Sequence, residues 1–181
     1  MITIEELTAL HANDLADLGD LLRDATENGA SVGYVMPIGA DDIASYWLGV
    51  AAEVAAGNCK LLVARQTNKL VGTAQLALAM KPNARHRAEV QKMLVHSDAR
   101  RFGIGRQLML AIEQYARAAG RTLLVLDTET NSAGQRLYAA MGYAVAGEIP
   151  KYALATLPGK PGDPSAGWSP STFMYKFIQP S

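Results

Sequence analysis

Residues Val95 to Leu108 read Val-His-Ser-Asp-Ala-Arg-Arg-Phe-Gly-Ile-Gly-Arg-Gln-Leu, and this stretch constrains the chain more than any other. It follows an apolar, strand-like run over Arg87–Val95. It leads into an amphipathic pattern that predicts a helix over Ile104–Ala118. Between them lies R-x-x-G-x-G, formed by Arg100, Gly103 and Gly105, with further arginines at 101 and 106. Glycines let a backbone approach a ligand closely and adopt conformations that other residues resist. A helix that starts there offers unpaired N–H groups and the positive end of its dipole. Strand, glycine loop, helix N-terminus and flanking arginines together predict a pyrophosphate site. The plainer alternative is a Gly-rich turn capping a surface helix. No Gly-Lys-Ser/Thr follows, so the loop is not a Walker motif. The third glycine of the dinucleotide fingerprint is missing, and the loop sits in mid-chain.

Composition narrows the classes. Apolar residues make up 49% of 181, enough for a sizeable core in one domain spanning residues 1–181. The 17 basic and 17 acidic residues balance, which gives no electrostatic case for a nucleic-acid partner or a membrane surface. Cys59 is the only cysteine, so no intramolecular disulfide or cysteine metal cluster is expected. His11, His86 and His96 lack close metal-ligand spacing, and no metal is expected. No segment reads as a secretory leader or a membrane span, so the expected compartment is the cytoplasm.

Periodicity predicts a strand over Ile2–Leu7, a helix over Ala12–Thr26 ended at Asn28-Gly29, and a loop over Gly29–Ile38. A second helix, capped by Asp41-Asp42, is expected to reach Ala56 and stop at Gly57-Asn58. Leu61–Arg65 and Leu70–Met80 flank a hairpin signal at Thr67-Asn68-Lys69. After Ile104–Ala118 come a short strand over Thr122–Asp127 and a helix over Asn131–Met141, stopped at Gly142. Tyr143–Leu154 and Ser171–Ile178 finish the strands. The Pro/Gly-rich stretch Thr156–Pro170 is expected to be a loop, with Trp168 available to cover a small ligand. This order predicts an α/β fold, a mixed twisted sheet with helices on both faces.

The R-x-x-G-x-G loop resembles the pyrophosphate loop of the GCN5-related N-acetyltransferase (GNAT) family, which binds acetyl-CoA through Q/R-x-x-G-x-G/A. Ser97 stands where many members have proline, and Arg101 where many have glycine; neither change removes a backbone donor. Asn131 to Tyr143 resembles the family's other recurrent segment, N-x-x-A-x-x-L/F-Y-x-x-x-G-F/Y, with Gly134 in place of alanine. The resemblance is strong over roughly Arg87–Tyr152; in the first half it rests on element order. It implies the GNAT fold, with a central sheet of about six to seven strands. It also implies a splay between the strands Arg87–Val95 and Thr122–Asp127, where ligands enter. Acetyl-CoA is implied as cosubstrate, held by Arg100, Arg101, Phe102, Gly103, Ile104, Gly105 and Arg106. Asn131 is expected to cap its helix and touch the pantetheine arm beside Ser132. Shorter strings, among them Ala30–Gly33, Lys81–Asn83, Arg87–Lys92 and Leu126–Glu129, are similar to a toxin-resistance member that acetylates a β-lactam amino acid.

Acetyl transfer from a thioester to an amine requires removal of the amine's proton, donors for the oxyanion and a proton for the departing sulfur. Glu89 and Asp127 interrupt runs suited to burial, and a buried carboxylate is costly unless paired or used. Together across the splay they are expected to bind the substrate ammonium and take its proton. The alternatives are a solvent-facing strand position for Glu89 and a helix cap for Asp127. Met93, Leu94 and Val95 are expected to touch the cofactor, and a backbone N–H near them to polarise the thioester carbonyl. Tyr138 is expected to be the general acid, with core packing as its alternative; the resemblance points to the same three catalytic positions. Cys59 has no evident His partner, which favours direct transfer over an acetyl-enzyme. His96 reads as a surface residue, and Glu129 as a solvated or capping one. The expected acceptor is a small amino-acid-like amine, such as a toxin, met by a monomer or homodimer. Two other readings stay open: a protein or peptide N-acetyltransferase, and a non-catalytic acyl-CoA sensor.

Overall fold

The computed structural model describes residues 1–157 and 167–179. Seven strands form one sheet: β1 (Ile2–Leu7), β2 (Cys59–Gln66), β3 (Lys69–Leu78), β4 (Arg87–Val95), β5 (Leu123–Glu129), β6 (Ala144–Leu154) and β7 (Trp168–Phe177). Their order is β1-β2-β3-β4-β5-β7-β6. Every neighbouring pair is antiparallel except β4–β5, which is parallel, so the sheet is mixed as expected. β7 inserts between β5 and β6, an order that linear spacing does not reveal. Most of the expected Thr156–Pro170 loop, residues 158–166, lies outside the described residues. Trp168–Pro170 already belong to β7 and not to the loop.

Among the described residues, four α-helices cover the sheet: α1 (Ala12–Glu27), α2 (Ala40–Ala55), α3 (Ile104–Ala118) and α4 (Ala133–Ala140). On one face, Leu18, Leu21 and Leu22 of α1 and Ile43, Trp47 and Val50 of α2 bury against Leu61, Val63 and Leu94. On the other, Ile104, Leu108, Met109 and Ile112 of α3 pack on Leu62, Ala74, Leu76, Val90 and Leu124. Tyr138 of α4 joins this second cluster. The expected helix stops hold: Gly29, Gly57, Gly120 and Gly142 follow the four helices, and each has positive φ, the geometry that ends a helix. The cap expected at Asp41-Asp42 differs. Gly39 is the N-cap, and Asp42 reaches back from the third helical position to accept the Gly39 N–H at 3.3 Å.

Helix α3 is seated on β3 at very short range. A Cβ at Gly72 would lie 3.1 Å from the Leu94 carbonyl oxygen, 3.2 Å from Ile104 and 3.2 Å from Leu108. At its other end, buried Glu113 accepts from Lys176 of β7 at 2.6 Å and from Arg117 at 3.2 Å. This helix carries the glycine loop on its first turn, so its packing fixes where the loop stands.

Leu108 is fully buried, and truncating it leaves a cavity under α3. Leu108→Ala is expected to cost about 2–5 kcal/mol. Denaturant unfolding should show a lower midpoint at unchanged slope; a midpoint equal to wild type would mean that α3 collapses to fill the space.

Candidate active site at the fork between β4 and β5

The parallel pairing of β4 with β5 lasts for three rungs: Arg87 with Leu123, Ala88 with Leu124 and Glu89 with Val125. Beyond them the strands part. β4 stays bonded to β3 as far as Val95, and β5 to β7 as far as Glu129. The expected splay is thus present between the two expected strands. From Val90 onward, the β5-facing edge of β4 has no strand partner, so backbone groups near Met93, Leu94 and Val95 line the opening.

Register decides which side chains meet there. Leu61 lies opposite Gln75, and Gln75 opposite Gln91. Leu61 packs with α1 and α2, so Gln91 shares that face, and so does Glu89 two residues earlier. Val125 pairs with Glu89, and Asp127 therefore points the same way. Glu89 marks the last rung, and Asp127 stands just past it on the other prong. Both are exposed, which corrects the expectation of buried carboxylates. Position brings them together, and burial plays no part. Gln91 Nε2 donates to Glu89 at 2.9 Å, and Ser171 Oγ donates to Asp127 at 2.8 Å.

Tyr138 arrives from the opposite face. It is 6% exposed, and its ring lies 5.9 Å from that of Tyr143. Burial raises its phenol above the ordinary value, and the Asp127 charge raises it further. Among the described residues, nothing hydrogen-bonds its hydroxyl. Packing and a free hydroxyl thus coexist in one residue. The core packing offered as the alternative is present, since Tyr138 belongs to the cluster under α3.

At the mouth of the fork, Ser97–Ala99 form a short 3-10 turn, and Gly103 is the N-cap of α3 with φ 76°. Arg101 also has positive φ, 68°, a strained conformation for a residue with a side chain. No acceptor among the described residues takes the backbone N–H of Arg101, Phe102, Gly103, Ile104, Gly105 or Arg106. The first bonded amide of α3 is that of Gln107, which donates to Gly103. Six consecutive amides without an acceptor among the described residues, at a helix N-terminus, are donors suited to phosphate oxygens. The two glycines act differently. A Cβ at Gly103 would meet nothing within 4 Å, so its left-handed backbone is the requirement. A Cβ at Gly105 would lie 3.2 Å from Leu137 and 3.6 Å from the Met93 sulfur, so close packing of α3 on α4 and β4 is the requirement there.

The arginines also divide. Arg100 Nε donates to the Val95 carbonyl at 3.1 Å, and its Nη2 lies 3.7 Å from Asp24. Arg100 thus ties the loop to β4 and α1, while Arg101 and Arg106 are exposed and carry no ion pair among the described residues. Sequence reading missed Asp24. It accepts from Ser97 N at 2.9 Å and Ser97 Oγ at 2.6 Å, and so braces the turn from α1. Nothing in its helical context marks it, because the partner lies 73 residues away.

Asn131 does not cap α4, contrary to expectation. Ser132 is the N-cap, and its Oγ accepts from Gln135 N at 3.1 Å. Asn131 sits one residue outside with φ 64°, a conformation Asn tolerates better than most. Cys59 lies in the row Cys59–Ala77–Glu89, two strands from the fork, and is nearer the site than its sequence position suggests. Burial pushes its thiol up to about 11, so it is held protonated. His96 accepts from the Asp98 N–H at 3.3 Å, and Glu129 accepts from Ser169 at 3.1 Å.

A second missed residue is Lys92. β4 bulges here, since Thr73 pairs with Leu94 but Gln75 with Gln91. Lys92 has φ 46°, and its ammonium donates to the Val32 carbonyl at 2.6 Å. A lone lysine in the apolar run Val90–Val95 was the signal available. A hollow of about 510 Å³ adjoins this face, lined by Tyr46, Cys59, Gln75 and Gln91 among others.

Comparison with known proteins agrees with this geometry. Residues 17–143 match the model of the acetyltransferase (GNAT) family. The chain is 32% identical over 167 residues to an uncharacterized N-acetyltransferase from the hisH-hisA intergenic region of Azospirillum brasilense, covering 88% of this chain and 96% of that one. Its fold is shared by a ribosomal-protein-alanine N-acetyltransferase from Brucella melitensis, with TM-score 0.76 and 24% identity over 97% of this chain and 99% of that chain. It is shared too by yncA, a putative acetyltransferase from Salmonella typhimurium solved with acetyl-CoA, with TM-score 0.75 and 21% identity over 100% and 96% of the two chains. The chain belongs to the GNAT family of acetyltransferases. The free amides at the fork fit that family's cosubstrate, acetyl-CoA. Among the described residues there is no cluster of metal-ligating side chains, and no helix is long and apolar enough to cross a membrane.

The different demands at the two glycines can be measured. Gly103→Val should strain the loop, and Gly105→Val should push α3 from Leu137 and Met93. Calorimetry on the folded double variant should show CoA affinity reduced by at least about tenfold, the loss of one charge-assisted hydrogen bond or more. Wild-type affinity would remove the cradle from the site.

Proposed function

We propose that this chain transfers an acetyl group from acetyl-CoA to a primary amine of a small amino-acid-like molecule, in one step within a complex of both substrates. The observation that carries the reading is the fork: Glu89 and Asp127 flank it on one face, and Tyr138, whose hydroxyl has no partner among the described residues, packs on the other. Acetyl-CoA supplies an acyl carbon activated as a thioester. An amide within Met93–Val95 supplies a donor at the fork, and the Arg100–Arg106 loop holds the pyrophosphate, with Asn131 and Ser132 beside the pantetheine arm.

The carboxylates act first through charge. They draw the acceptor's ammonium to the fork and then take its proton, directly or through water, because only the free amine attacks. Ser171 orients the Asp127 carboxylate for this task. Tyr138 stays protonated at neutral pH and holds its proton for the departing sulfur. Protonated Cys59 supports direct transfer over a covalent acetyl-enzyme. Within the acceptor class we favour a β-lactam amino-acid toxin, because strings such as Arg87–Lys92 and Leu126–Glu129 resemble the tabtoxin resistance protein. The working unit in this reading is a single cytoplasmic domain of residues 1–181, alone or as a homodimer.

Release of CoA thiol, screened against amino acids, β-lactam toxins, polyamines, aminoglycosides and peptides, tests the class. Turnover confined to amino-acid-like amines is expected, and turnover with peptides alone would overturn it. Tyr138→Phe keeps the ring and removes the hydroxyl; kcat should fall about 10²–10⁴-fold with acetyl-CoA affinity unchanged. Because burial raises the phenol, Tyr138 should set no alkaline limb below pH about 10. In Asp127→Asn and Glu89→Gln the loss should be greatest at low pH, where the acceptor is ammonium, and shrink as pH supplies free amine. Parallel pH–rate curves for wild type and a variant would show that its carboxylate is not a base.

A further inference from the structure

Lys92 is held in a setting unusual for a lysine. The bulge sets two residues, Lys92 and Met93, opposite Ala74, and a bulge re-aims the side chains it carries. Lys92 is half-buried, and its ammonium lies 5.1 Å from the centroid of the Tyr46 ring. It donates to the Val32 carbonyl at 2.6 Å, and a Cβ at Gly33 would stand 3.5 Å from it. The loop that contributes Val32 and Gly33 is tied down at both ends: Thr156 Oγ1 donates to the Ala30 carbonyl at 2.9 Å, and Met36 N donates to the Thr156 carbonyl at 3.1 Å. Tyr46 is fixed in turn by Gln75, which donates to its hydroxyl at 2.9 Å.

An ammonium has three donors, and among the described residues one carbonyl and one ring face serve it. No carboxylate lies within ion-pair distance among the described residues. Asp127 is close enough to act on it through charge but does not bond it. Burial lowers the lysine below its ordinary value, and Asp127 opposes the shift. A partly desolvated cation with spare donors is a strong site for an anion, because the desolvation is already in place. Val32 and Tyr46 belong to the layer of α1 and α2, so the ammonium lies on the same side of the sheet as Asp127. The region thus offers a positive group and a negative group side by side, the charge complement of an amine that also bears a carboxylate.

We propose that Lys92 is a specificity-determining residue that binds a carboxylate of the acceptor, so that the substrates are amino acids and not simple amines or polyamines. The inference rests on the acetyltransferase reading above, with the acceptor amine at Asp127. A polyamine would bring a second cation toward Lys92 and be repelled. An amino-acid amide would keep the amine and lose the charge.

The test uses the full chain with standard L-amino acids and their α-carboxamides, comparing wild type, Lys92→Met and Lys92→Arg. Met retains the length of the stem without charge, and Arg retains the charge. In wild type, kcat/KM should favour acids over amides. Lys92→Met should lower kcat/KM for acids by about 10- to 100-fold, the range of a charged hydrogen bond, and change amides by less than threefold, while Lys92→Arg keeps the acid preference. Calorimetric binding of the same amino acids to the complex with desulfo-CoA reads Lys92 without turnover. Binding that depends on Lys92, with no thiol release, would overturn the transfer reading and uphold the carboxylate site. Equal losses for acids and amides in Lys92→Met, or no binding of any amino acid by wild type, would overturn the role of Lys92.

Discussion

A parallel strand pair that stops after three rungs underlies most of what this molecule can do. Past Glu89 and Val125, β4 and β5 each keep one hydrogen-bonded neighbour and turn an open edge toward the other. Unpaired strand edges inside a sheet are normally closed, since their N–H and C=O groups require partners. Here the edges stay apart because both prongs are anchored outward, β4 to β3 through a bulge and β5 to β7 through seven consecutive pairs. The opening that results is a slot edged by strand backbone that no neighbouring strand pairs. Asp127 and Tyr138 stand on opposite faces of the sheet beside it, and after burial the Asp127 charge raises the Tyr138 phenol.

The glycine loop depends on the same frame. Its conformation carries strain at Arg101 and leaves six amides free, and neither would persist on a mobile segment. The loop is held from below by α3, itself bonded to β7 through Glu113 and Lys176, and from the side by Asp24 of α1. Donors fixed in advance need little reorganisation when an anion arrives, which is the physical advantage of mounting a cradle on packed helices. Arg100 contributes more to this bracing than its place in the motif suggested.

Much of this was legible in the sequence. Strand and helix periods marked β4, α3, β5 and α4 close to their observed limits, because those elements alternate buried and open positions at the spacing their geometry demands. The splay and its two strands followed from the family resemblance. Details that depend on a distant partner did not follow. Asn131 carried the expected cap, but the backbone turned at Asn131 and left the cap to Ser132. Glu89 and Asp127 were singled out for a reason the fold does not support, since both are open to solvent; what the fold adds is their place at the fork.

Local chemistry therefore determined what the chain contains: a donor loop before a helix, two carboxylates on separate strands, a tyrosine on a following helix and one cysteine without a base. Those features rest on neighbours within a turn or a strand pair, so a linear reading reaches them. Tertiary structure alone decided which of them share a space. The insertion of β7 between β5 and β6 brings Ser171 to Asp127 across 44 residues, the bulge in β4 turns Lys92 toward Val32 across 60, and Asp24 meets Ser97 across 73. Strand order, bulges and helix seating are set by how the whole core packs, and no local pattern encodes contacts made over such separations.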